Sequence, residues 1–297
     1  MELNKILTSY NQDIKDEVIE KTIKKITGNV SSIYTVDTLK KIFGFIDLTT
    51  LNHTDNEERA KLFAENVNKF KSDFPDMPDV AAICVYPTLV KAVKKNLKID
   101  NVNIASVTGG FPSSQTFIDI KVAETKKVFE NGADEADMVI SVGTFLRGDY
   151  QTVFEEIKAI KEACGKKHLK VILESGSLGS MKNVKTASIL AIEAGADFLK
   201  TSTGKTSPAA TLEAVYVMAE TVKEYYEKTG KKIGIKPAGG ISDSETALKY
   251  YAVMKEVLGE DWLNPELFRI GASSLANKLL NDISSMQSEK KEDIIYF

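Results

Sequence analysis

A single (β/α)8 barrel preceded by an N-terminal helical extension is the fold that the sequence predicts. Short apolar segments typical of strands alternate with segments typical of amphipathic helices, and about eight such units fit into about 250 residues. A doubly wound sheet usually has fewer strands. No linker rich in Pro, Gly or Ser interrupts the series. We therefore predict that residues 1–40 form the extension and that residues 41–297 form one catalytic domain.

The predicted strands are short apolar runs, rich in β-branched and aromatic residues. They lie at 43–48, 80–86, 102–107, 136–142, 169–174, 197–201, 233–236 and 267–270. The helices between them repeat apolar residues at intervals of three and four, as in Val153, Ile157, Ile160 and Cys164. Strand and helix therefore alternate in the order that a barrel requires.

The N-terminal extension carries apolar side chains at helical intervals among polar ones, from Leu3 to Ile26. It lacks the unbroken apolar run and the cleavage site of a secretion signal, so we predict an amphipathic helix. No segment of the chain approaches the roughly 20 apolar residues that span a membrane. We expect a cytoplasmic protein that does not enter a membrane.

The composition argues against several classes of function. A total of 39 basic and 42 acidic residues gives a net charge of −3, which provides no general basic surface for nucleic acid or an anionic membrane. Two cysteines, Cys84 and Cys164, and two histidines, His53 and His168, show neither disulfide nor metal-ligand spacing. We expect no metal and no cofactor, although spacing leaves open a Mg²⁺ ion bound by carboxylates alone.

Strand alternation predicts a charged barrel interior. Residues two apart in a strand share a face, and the aliphatic face must meet the surrounding helices. The side chains that this rule directs inward are those of Asp47, Cys84, Asp137, Lys170, Glu174, Lys236 and Arg269. The third strand shows no clear inner face. Buried charges are costly unless they pair around a site, so the interior is a candidate active site.

Lys200 is the predicted nucleophile of this site. It ends an apolar strand and precedes a Thr/Ser/Gly loop, and Lys236 ends the next strand in the same way. An isolated lysine just past a strand would usually be an exposed surface residue. If the two amines lie within about 6 Å, the like charge lowers the pKa of Lys200 and favours imine formation with a carbonyl substrate. Asp137 is either a counter-ion to the lysines or a proton shuttle, and these roles are compatible.

Glycine-rich turns after the last two strands indicate a phosphate site. Gly239-Gly240 and the run from Gly271 to Ser274 each precede a helix, where backbone N–H groups commonly bind phosphate in barrels. The segment around Gly204 resembles the end of a P-loop, but Leu199 stands where that motif requires glycine. The residues that we expect to contact a phosphorylated substrate are Thr203, Gly204, Lys205, Gly239, Gly240, Gly271, Ser273 and Ser274.

Beyond these patterns, six segments resemble the deoxyribose-phosphate aldolase family, and they follow the order of that family from about residue 43 onward. They are Phe45-Ile46-Asp47-Leu48-Thr49-Thr50-Leu51, Ala81-Ala82-Ile83-Cys84-Val85-Tyr86-Pro87, Gly132-Ala133-Asp134-Glu135-Ala136-Asp137, Ala196-Asp197-Phe198-Leu199-Lys200-Thr201-Ser202-Thr203-Gly204-Lys205, Gly234-Ile235-Lys236-Pro237-Ala238-Gly239-Gly240 and Phe268-Arg269-Ile270-Gly271-Ala272-Ser273-Ser274. The two lysine segments are the most specific of the six.

The resemblance implies a (β/α)8 barrel and a metal-independent Schiff-base aldolase. Such an enzyme reversibly cleaves 2-deoxy-D-ribose 5-phosphate to acetaldehyde and D-glyceraldehyde 3-phosphate, so its partners would be a sugar phosphate and small aldehydes. By the same resemblance, Lys200 would form the imine, Lys236 would perturb it and Asp137 would relay protons. Asp47, Thr49 and Cys84 would line the pocket. The sequence also allows a homodimer.

The sequence departs from the family at three places. Ser242 stands where an arginine is common, and with Glu245 three residues later it predicts an N-terminal capping box. Ser175-Gly176-Ser177 replaces the frequent Thr-Gly-Glu. The family's flexible tail ends in a tyrosine that can reach the site, whereas Tyr296 is followed by Phe297.

Two alternative functions remain open at this point. One is another Schiff-base aldolase, of the transaldolase or keto-acid type, and the other is a barrel that binds a sugar phosphate without turnover. The paired lysines and Asp137 argue against pure binding, because binding alone does not need a lowered lysine pKa.

Overall fold

Eight parallel strands form one sheet that curls into a nearly closed barrel, in a computed structural model that describes residues 2–287 and 293–297. The strands are β1 Ile46–Thr49, β2 Ala82–Val85, β3 Asn103–Thr108, β4 Glu135–Val139, β5 His168–Ile172, β6 Phe198–Lys200, β7 Gly234–Lys236 and β8 Ile270–Ala272. They pair in the order β7-β6-β5-β4-β3-β2-β1-β8. Isolated bridges from Ile235 to Phe268 and from Ala238 to Gly271 join the two ends of the sheet.

Helices surround this sheet and precede it. They are α1 Glu2–Thr8, α2 Asp16–Thr27, α3 Val36–Phe43, α4 Glu57–Asp73, α5 Val90–Asn96, α6 Ile118–Glu130, α7 Val142–Leu146, α8 Tyr150–Cys164, α9 Met181–Glu193, α10 Leu212–Thr229, α11 Ser244–Leu258 and α12 Ser274–Gln287. The predicted (β/α)8 barrel with helices before its first strand is confirmed. In the described part of the chain, no helix combines the length and the apolar composition needed to cross a membrane.

The N-terminal helices pack on the outside of the barrel. In α2, Ile19 and Ile23 are buried and the helix contacts α10 and α11, while α3 packs on α11 and α12. Val18 belongs to the predicted apolar pattern, but its side chain is 55% exposed, so it lies off the buried face. The division of the chain into 1–40 and 41–297 stays a prediction.

All eight predicted strands are present, but two of the residues whose side chains were predicted to face inward, Glu174 and Arg269, lie outside the observed strands. Glu174 was expected in the fifth strand, yet β5 ends at Ile172 because the backbone of Glu174 turns into the left-handed region, with φ 54° and ψ 52°. Arg269 immediately precedes β8, although its backbone N–H still donates to the carbonyl of Ile235. Conversely, β4 begins at Glu135, one residue earlier than predicted.

The barrel interior has an apolar side and a charged side. Leu51, Ala82, Cys84, Ala105 and Val107 form a small buried cluster on the side of β2 and β3. The buried ionisable side chains come from β1, β4, β5, β6 and β7 and from Arg269, which precedes β8. A Cβ on Gly234 would lie 2.2 Å from the Phe198 ring, so only glycine leaves room there for that ring.

Candidate active site

The inward side chains of six elements meet in a buried ionic cluster. Its members are Asp47 on β1, Glu135 and Asp137 on β4, Lys170 on β5, Lys200 on β6, Lys236 on β7 and Arg269 before β8. Alternation explains this convergence, because Glu135 and Asp137 are two apart and the register pairs Lys200 directly with Lys236. Every member is at most 2% exposed.

Asp137 is the centre of the upper half of the cluster. Its Oδ2 atom accepts hydrogen bonds from Lys200 Nζ at 2.8 Å and from Lys236 Nζ at 2.7 Å. Lys236 Nζ also forms an ion pair with Asp47 Oδ2 at 2.6 Å. The two lysines are therefore held side by side on one carboxylate oxygen.

The lower half of the cluster links Asp137 to the opposite end of the barrel. Lys170 Nζ donates to Asp137 Oδ1 at 3.1 Å and also to Glu135. Arg269 bridges Asp47 Oδ1, 2.7 Å from Nη1, and Glu135 Oε1, 2.9 Å from Nη2. Glu135 is a cluster member that the sequence interpretation missed, although its even spacing from Asp137 could have revealed it.

The surroundings of Lys200 and Lys236 shift their pKa values in opposite directions. Burial lowers the pKa of Lys200, and the neighbouring positive charge of Lys236 lowers it further, against the attraction of Asp137. Burial also works against a charge on Lys236, but the attraction of Asp137 and Asp47 outweighs it and raises the pKa of Lys236 above its usual range. Lys200 is thus the lysine of this pair that favours the free amine.

The two aspartates remain ionised. Burial opposes their charge, yet Lys170, Lys200 and Lys236 hold the pKa of Asp137 well below its usual range. Asp47 behaves similarly, because Lys236 and Arg269 lower its pKa despite burial. Cys84 differs, since burial raises the pKa of its thiol and keeps it uncharged. Cys84 therefore adds an uncharged, apolar group to the barrel interior and no nucleophile.

A pocket of about 240 Å³ opens above Lys200 at the carboxyl ends of the strands. Its walls are Thr49, Leu51, Asn52, Lys200, Thr203, Gly204, Lys205, Ala238, Gly239, Gly240, Ile241, Ser242, Gly271, Ala272, Ser273 and Ser274. The structure thus brings the residues expected to bind phosphate together with Lys200. Asp47, Cys84, Asp137 and Lys236 lie below this pocket, fully buried.

Two glycine turns, after β6 and β7, form one wall of the pocket. Gly239 and Gly240 adopt φ values of 87° and 78°, and a Cβ on Gly239 would come within 2.9 Å of Gly204 Cα. Glycine is required for this close approach of the loops after β6 and β7. The N-terminus of α12 follows at Ser274, which places helix N–H groups at the same wall.

The loop after β6 is fixed by Glu174. Thr203 donates to the Glu174 carboxylate through its backbone N–H at 3.2 Å and through its hydroxyl at 2.5 Å. The Thr203 hydroxyl also accepts from the backbone N–H of Lys205 at 3.1 Å. The Lys205 ammonium group then reaches across the pocket to the carbonyl of Leu51. Glu174 therefore supports the pocket wall. The prediction that its side chain points into the barrel interior is wrong.

Ser242 does not cap the helix that follows it, so the predicted capping box is wrong. Helix α11 begins at Ser244, and the side chain of Asp243 accepts from the backbone N–H of Thr246 at 2.8 Å. A carboxylate is favoured at this position because it also meets the positive end of the helix dipole. Ser242 is exposed and lines the pocket instead.

The C-terminal segment lies against α4 and α12. The Tyr296 hydroxyl donates to Asp73 Oδ2 at 2.7 Å, and Asn277 binds the backbone of both Tyr296 and Phe297. The Phe297 ring packs on Phe70, with ring centroids 5.4 Å apart. Tyr296 is therefore bound on the outer surface of the barrel and not in the pocket.

In residues 2–287 and 293–297, no three His, Cys, Asp or Glu side chains are grouped to hold a metal ion.

The barrel carries a pair of buried lysines, and the pocket above them has glycine turns and a helix N-terminus suited to phosphate. Together these features define an enzyme of the barrel-aldolase class. Residues 42–277 match the model of a protein family that is described as DeoC/LacD family aldolase. The chain belongs to this family.

Relatives of known sequence agree with this placement. A Caenorhabditis elegans protein, provisionally assigned as a deoxyribose-phosphate aldolase, is 44% identical over 92% of this chain and 90% of its own length. The human deoxyribose-phosphate aldolase is 40% identical over 82% of this chain and 80% of its own length. A crystal structure of a Toxoplasma gondii protein matches with a TM-score of 0.74 at 24% identity, covering 85% of this chain and 96% of that one. At that identity, the structural likeness shows the fold alone.

Proposed function

We propose that this chain reversibly cleaves 2-deoxy-D-ribose 5-phosphate to acetaldehyde and D-glyceraldehyde 3-phosphate through an imine on Lys200. One observation carries the proposal: Lys200, at the floor of the pocket, shares the Oδ2 atom of Asp137 with Lys236, and burial together with that neighbouring charge lowers its pKa. That arrangement favours an uncharged amine that can add to a carbonyl substrate. Relatives named deoxyribose-phosphate aldolases support the choice of substrate.

The bond changes can be assigned to this site. The Lys200 amine adds to the C1 aldehyde of the open-chain sugar, takes up one proton and expels water, which leaves a protonated imine. The C2–C3 bond then breaks, its electron pair moves toward the imine nitrogen, and the C3 hydroxyl proton passes to a base. This releases glyceraldehyde 3-phosphate and leaves an enamine on Lys200. Protonation at C2 and hydrolysis of the imine release acetaldehyde.

Asp137 is the group best placed to move protons in these steps. It is ionised and lies 2.8 Å from Lys200 Nζ, so it can accept a proton from the substrate hydroxyl through a water molecule and return it to C2. Lys236 keeps the carboxylate in place and supplies a permanent positive charge beside the imine. The protonated imine itself serves as the electron sink.

The pocket wall matches the phosphate end of the substrate. The Gly239-Gly240 turn, the N-terminus of α12 and the Lys205 ammonium group form a wall suited to the phosphate. The apolar cluster of Cys84, Ala105 and Val107 is buried below the pocket on the side of β2 and β3, so it does not line the pocket wall. Small aldehydes and a sugar phosphate are therefore the proposed partners, while the homodimer and the cytoplasmic location stay predictions.

A direct assay tests the function. Purified protein is incubated with 2-deoxy-D-ribose 5-phosphate, and both products are quantified. We expect equal amounts of acetaldehyde and glyceraldehyde 3-phosphate, and no turnover by a Lys200→Met control. Absence of cleavage by the unaltered protein, or equal turnover by the control, would refute the proposal.

A further inference from the structure

Glu135 and Arg269 occupy the end of the barrel interior that faces away from the pocket. Glu135 is the first residue of β4, and Arg269 precedes β8, so both lie at the amino ends of the strands. Both are at most 1% exposed, and neither belongs to the pocket wall. The proposed reaction gives them no direct role, although burying two charged groups is costly.

Their contacts connect both residues to the proposed catalytic groups. Glu135 pairs with Lys170, which donates to Asp137, and Arg269 pairs with Asp47, which forms the ion pair with Lys236. Asn103 donates to Glu135 Oε1 at 2.9 Å, and the ring of Phe198 lies 5.7 Å from the Arg269 guanidinium carbon. Arg269 thus contacts a partner of Lys236 directly, and Glu135 is connected to Asp137 through Lys170.

Other ionisable groups surround this end of the interior. His168 Nδ1 lies 4.0 Å from Glu135 Oε1. A cavity of about 770 Å³ at the outer mouth brings Lys41, Lys71, Asp79 and Glu266 to the same wall as Arg269. These groups stand at the solvent side of the mouth, so they are screened more strongly than the buried cluster.

The charges of the cluster balance in one protonation state. Among the described residues, the cluster contains three carboxylates, which are Asp47, Glu135 and Asp137, and four basic groups, which are Lys170, Lys200, Lys236 and Arg269. Three cations balance three anions only if one basic group is uncharged. A net charge in a buried cluster is costly, so the balanced state is favoured.

The contacts identify which basic group gives up its proton. Lys170 meets all three carboxylates, and Lys236 meets Asp47 and Asp137. Arg269 meets Asp47 and Glu135, and a guanidinium does not deprotonate in proteins. Within the described chain, Lys200 pairs with a single carboxylate oxygen, and it shares that oxygen with Lys236. Lys200 is therefore the basic group whose deprotonation costs the least free energy.

We propose that Glu135 and Arg269 are positioning residues for the reaction, because the charges that they add at the closed end of the barrel set the balance that leaves Lys200 as the free amine. This inference rests on the proposed function of Lys200. Removing Arg269 leaves an excess negative charge, which Lys200 can neutralise by keeping its proton. Removing the Glu135 charge leaves an excess positive charge, which disfavours that proton further.

The two changes therefore have opposite expected effects on pH dependence. We expect Arg269→Met to move the acidic limb of the kcat/KM profile to higher pH and Glu135→Gln to move it to lower pH. Each shift should be about one pH unit, the order expected for one unit charge in a partly screened interior. The double variant Glu135→Gln/Arg269→Met should return the limb toward its original position, because it is balanced again.

Matched variants separate charge from structure. Arg269→Lys and Glu135→Asp keep the charges but disturb the contacts, so we expect them to lower stability without moving the limb. A loosened barrel would admit water and raise the pKa of Lys200 toward its ordinary value. The shift to lower pH in Glu135→Gln is therefore the opposite of what structural damage produces, and this variant decides the question even if Arg269→Met does not fold.

A second readout removes the dependence on the natural substrate. The pH dependence of reductive methylation of Lys200 by formaldehyde and cyanoborohydride, mapped by peptide mass spectrometry, follows its free amine directly. We expect the same opposed shifts in this measurement. Shifts in one direction only, or equal shifts in the charge-conserving variants, would overturn the proposal. An inactive wild-type protein whose methylation profiles still show opposed shifts would contradict the proposed reaction while confirming that Glu135 and Arg269 set the charge on Lys200.

Discussion

Lys200 and Lys236 bind the same oxygen atom, Oδ2 of Asp137, at 2.8 Å and 2.7 Å. The shared atom brings the two nitrogens to within about 6 Å, the range in which a like charge lowers a lysine pKa. Asp47 holds Lys236 from its other side at 2.6 Å and keeps it charged. The pair therefore consists of one amine that can react and one ammonium group that stays protonated.

We expect Lys236→Leu to lower kcat/KM by orders of magnitude near neutral pH. Without the Lys236 charge, Asp137 attracts the proton of Lys200 unopposed and the pKa of Lys200 rises. Since the reactive form is the free amine, activity should recover in part as the pH rises. A pH–rate profile between about pH 6 and 10 measures this shift. Lys236→Arg, which keeps the charge, is the control, and an unshifted profile in Lys236→Leu would contradict the pairing.

We expect chelators to leave the activity intact. The protonated imine accepts the electron pair of the broken bond, so the proposed steps need no metal ion. The measurement is cleavage of the sugar phosphate after dialysis against EDTA, with and without added Mg²⁺ or Zn²⁺. Loss of activity that a divalent ion restores would rule out the proposed chemistry.

Ser242 offers a test of the phosphate wall. It is exposed at the pocket and carries no capping role, so Ser242→Arg adds a cation without loss of a helix cap. We expect KM for the phosphorylated sugar to fall roughly three- to thirtyfold, which corresponds to about 0.6–2 kcal/mol for a partly exposed charged hydrogen bond.

Two controls isolate the phosphate contribution. Unphosphorylated 2-deoxyribose should gain nothing from Ser242→Arg, and Ser242→Gln, which adds length without charge, should leave KM near its original value. The ratio of kcat/KM for the two sugars is the quantity to compare. If that ratio does not change in Ser242→Arg, the phosphate does not bind beside residue 242.

Tyr296 makes its contact outside the pocket. A substitution there can therefore distinguish a structural role of the C-terminal segment from a catalytic one. Its hydroxyl binds Asp73, so Tyr296→Phe should lower the free energy of unfolding by about 1 kcal/mol and leave kcat unchanged. Urea denaturation and steady-state kinetics measure the two quantities. Asp73→Asn, which weakens the same contact from α4, should behave alike. A large loss of kcat in Tyr296→Phe with unchanged stability would instead indicate a catalytic tail.

The strands and the paired lysines were predictable because period-two alternation is a local property. Lys236 follows Ile233-Gly234-Ile235, and this pattern alone fixes its inward direction. The third strand was not predictable in the same way, since both of its faces mix polar and apolar residues. The structure turns Ala105 and Val107 inward because they pack beside Cys84.

Features that depend on a single residue boundary or on tertiary contacts were missed. Glu135 was overlooked because the predicted strand began one residue too late. Asp243 displaced Ser242 as the helix cap, a competition between neighbouring acceptors that the capping motif does not resolve. The roles of Glu174 and Tyr296 depend on Thr203 and Asp73, which are distant in sequence, so no local pattern encodes them.

The imine on Lys200 is the central claim, and trapping it is the most direct test. The protein is incubated with acetaldehyde and borohydride near neutral pH, digested and mapped by mass spectrometry, with Lys200→Met and a reaction without acetaldehyde as controls. We predict an N-ethyl group on Lys200 at acetaldehyde concentrations that leave the exposed lysines unmodified, because its pKa is lowered. An adduct confined to another lysine, or none, would contradict the account.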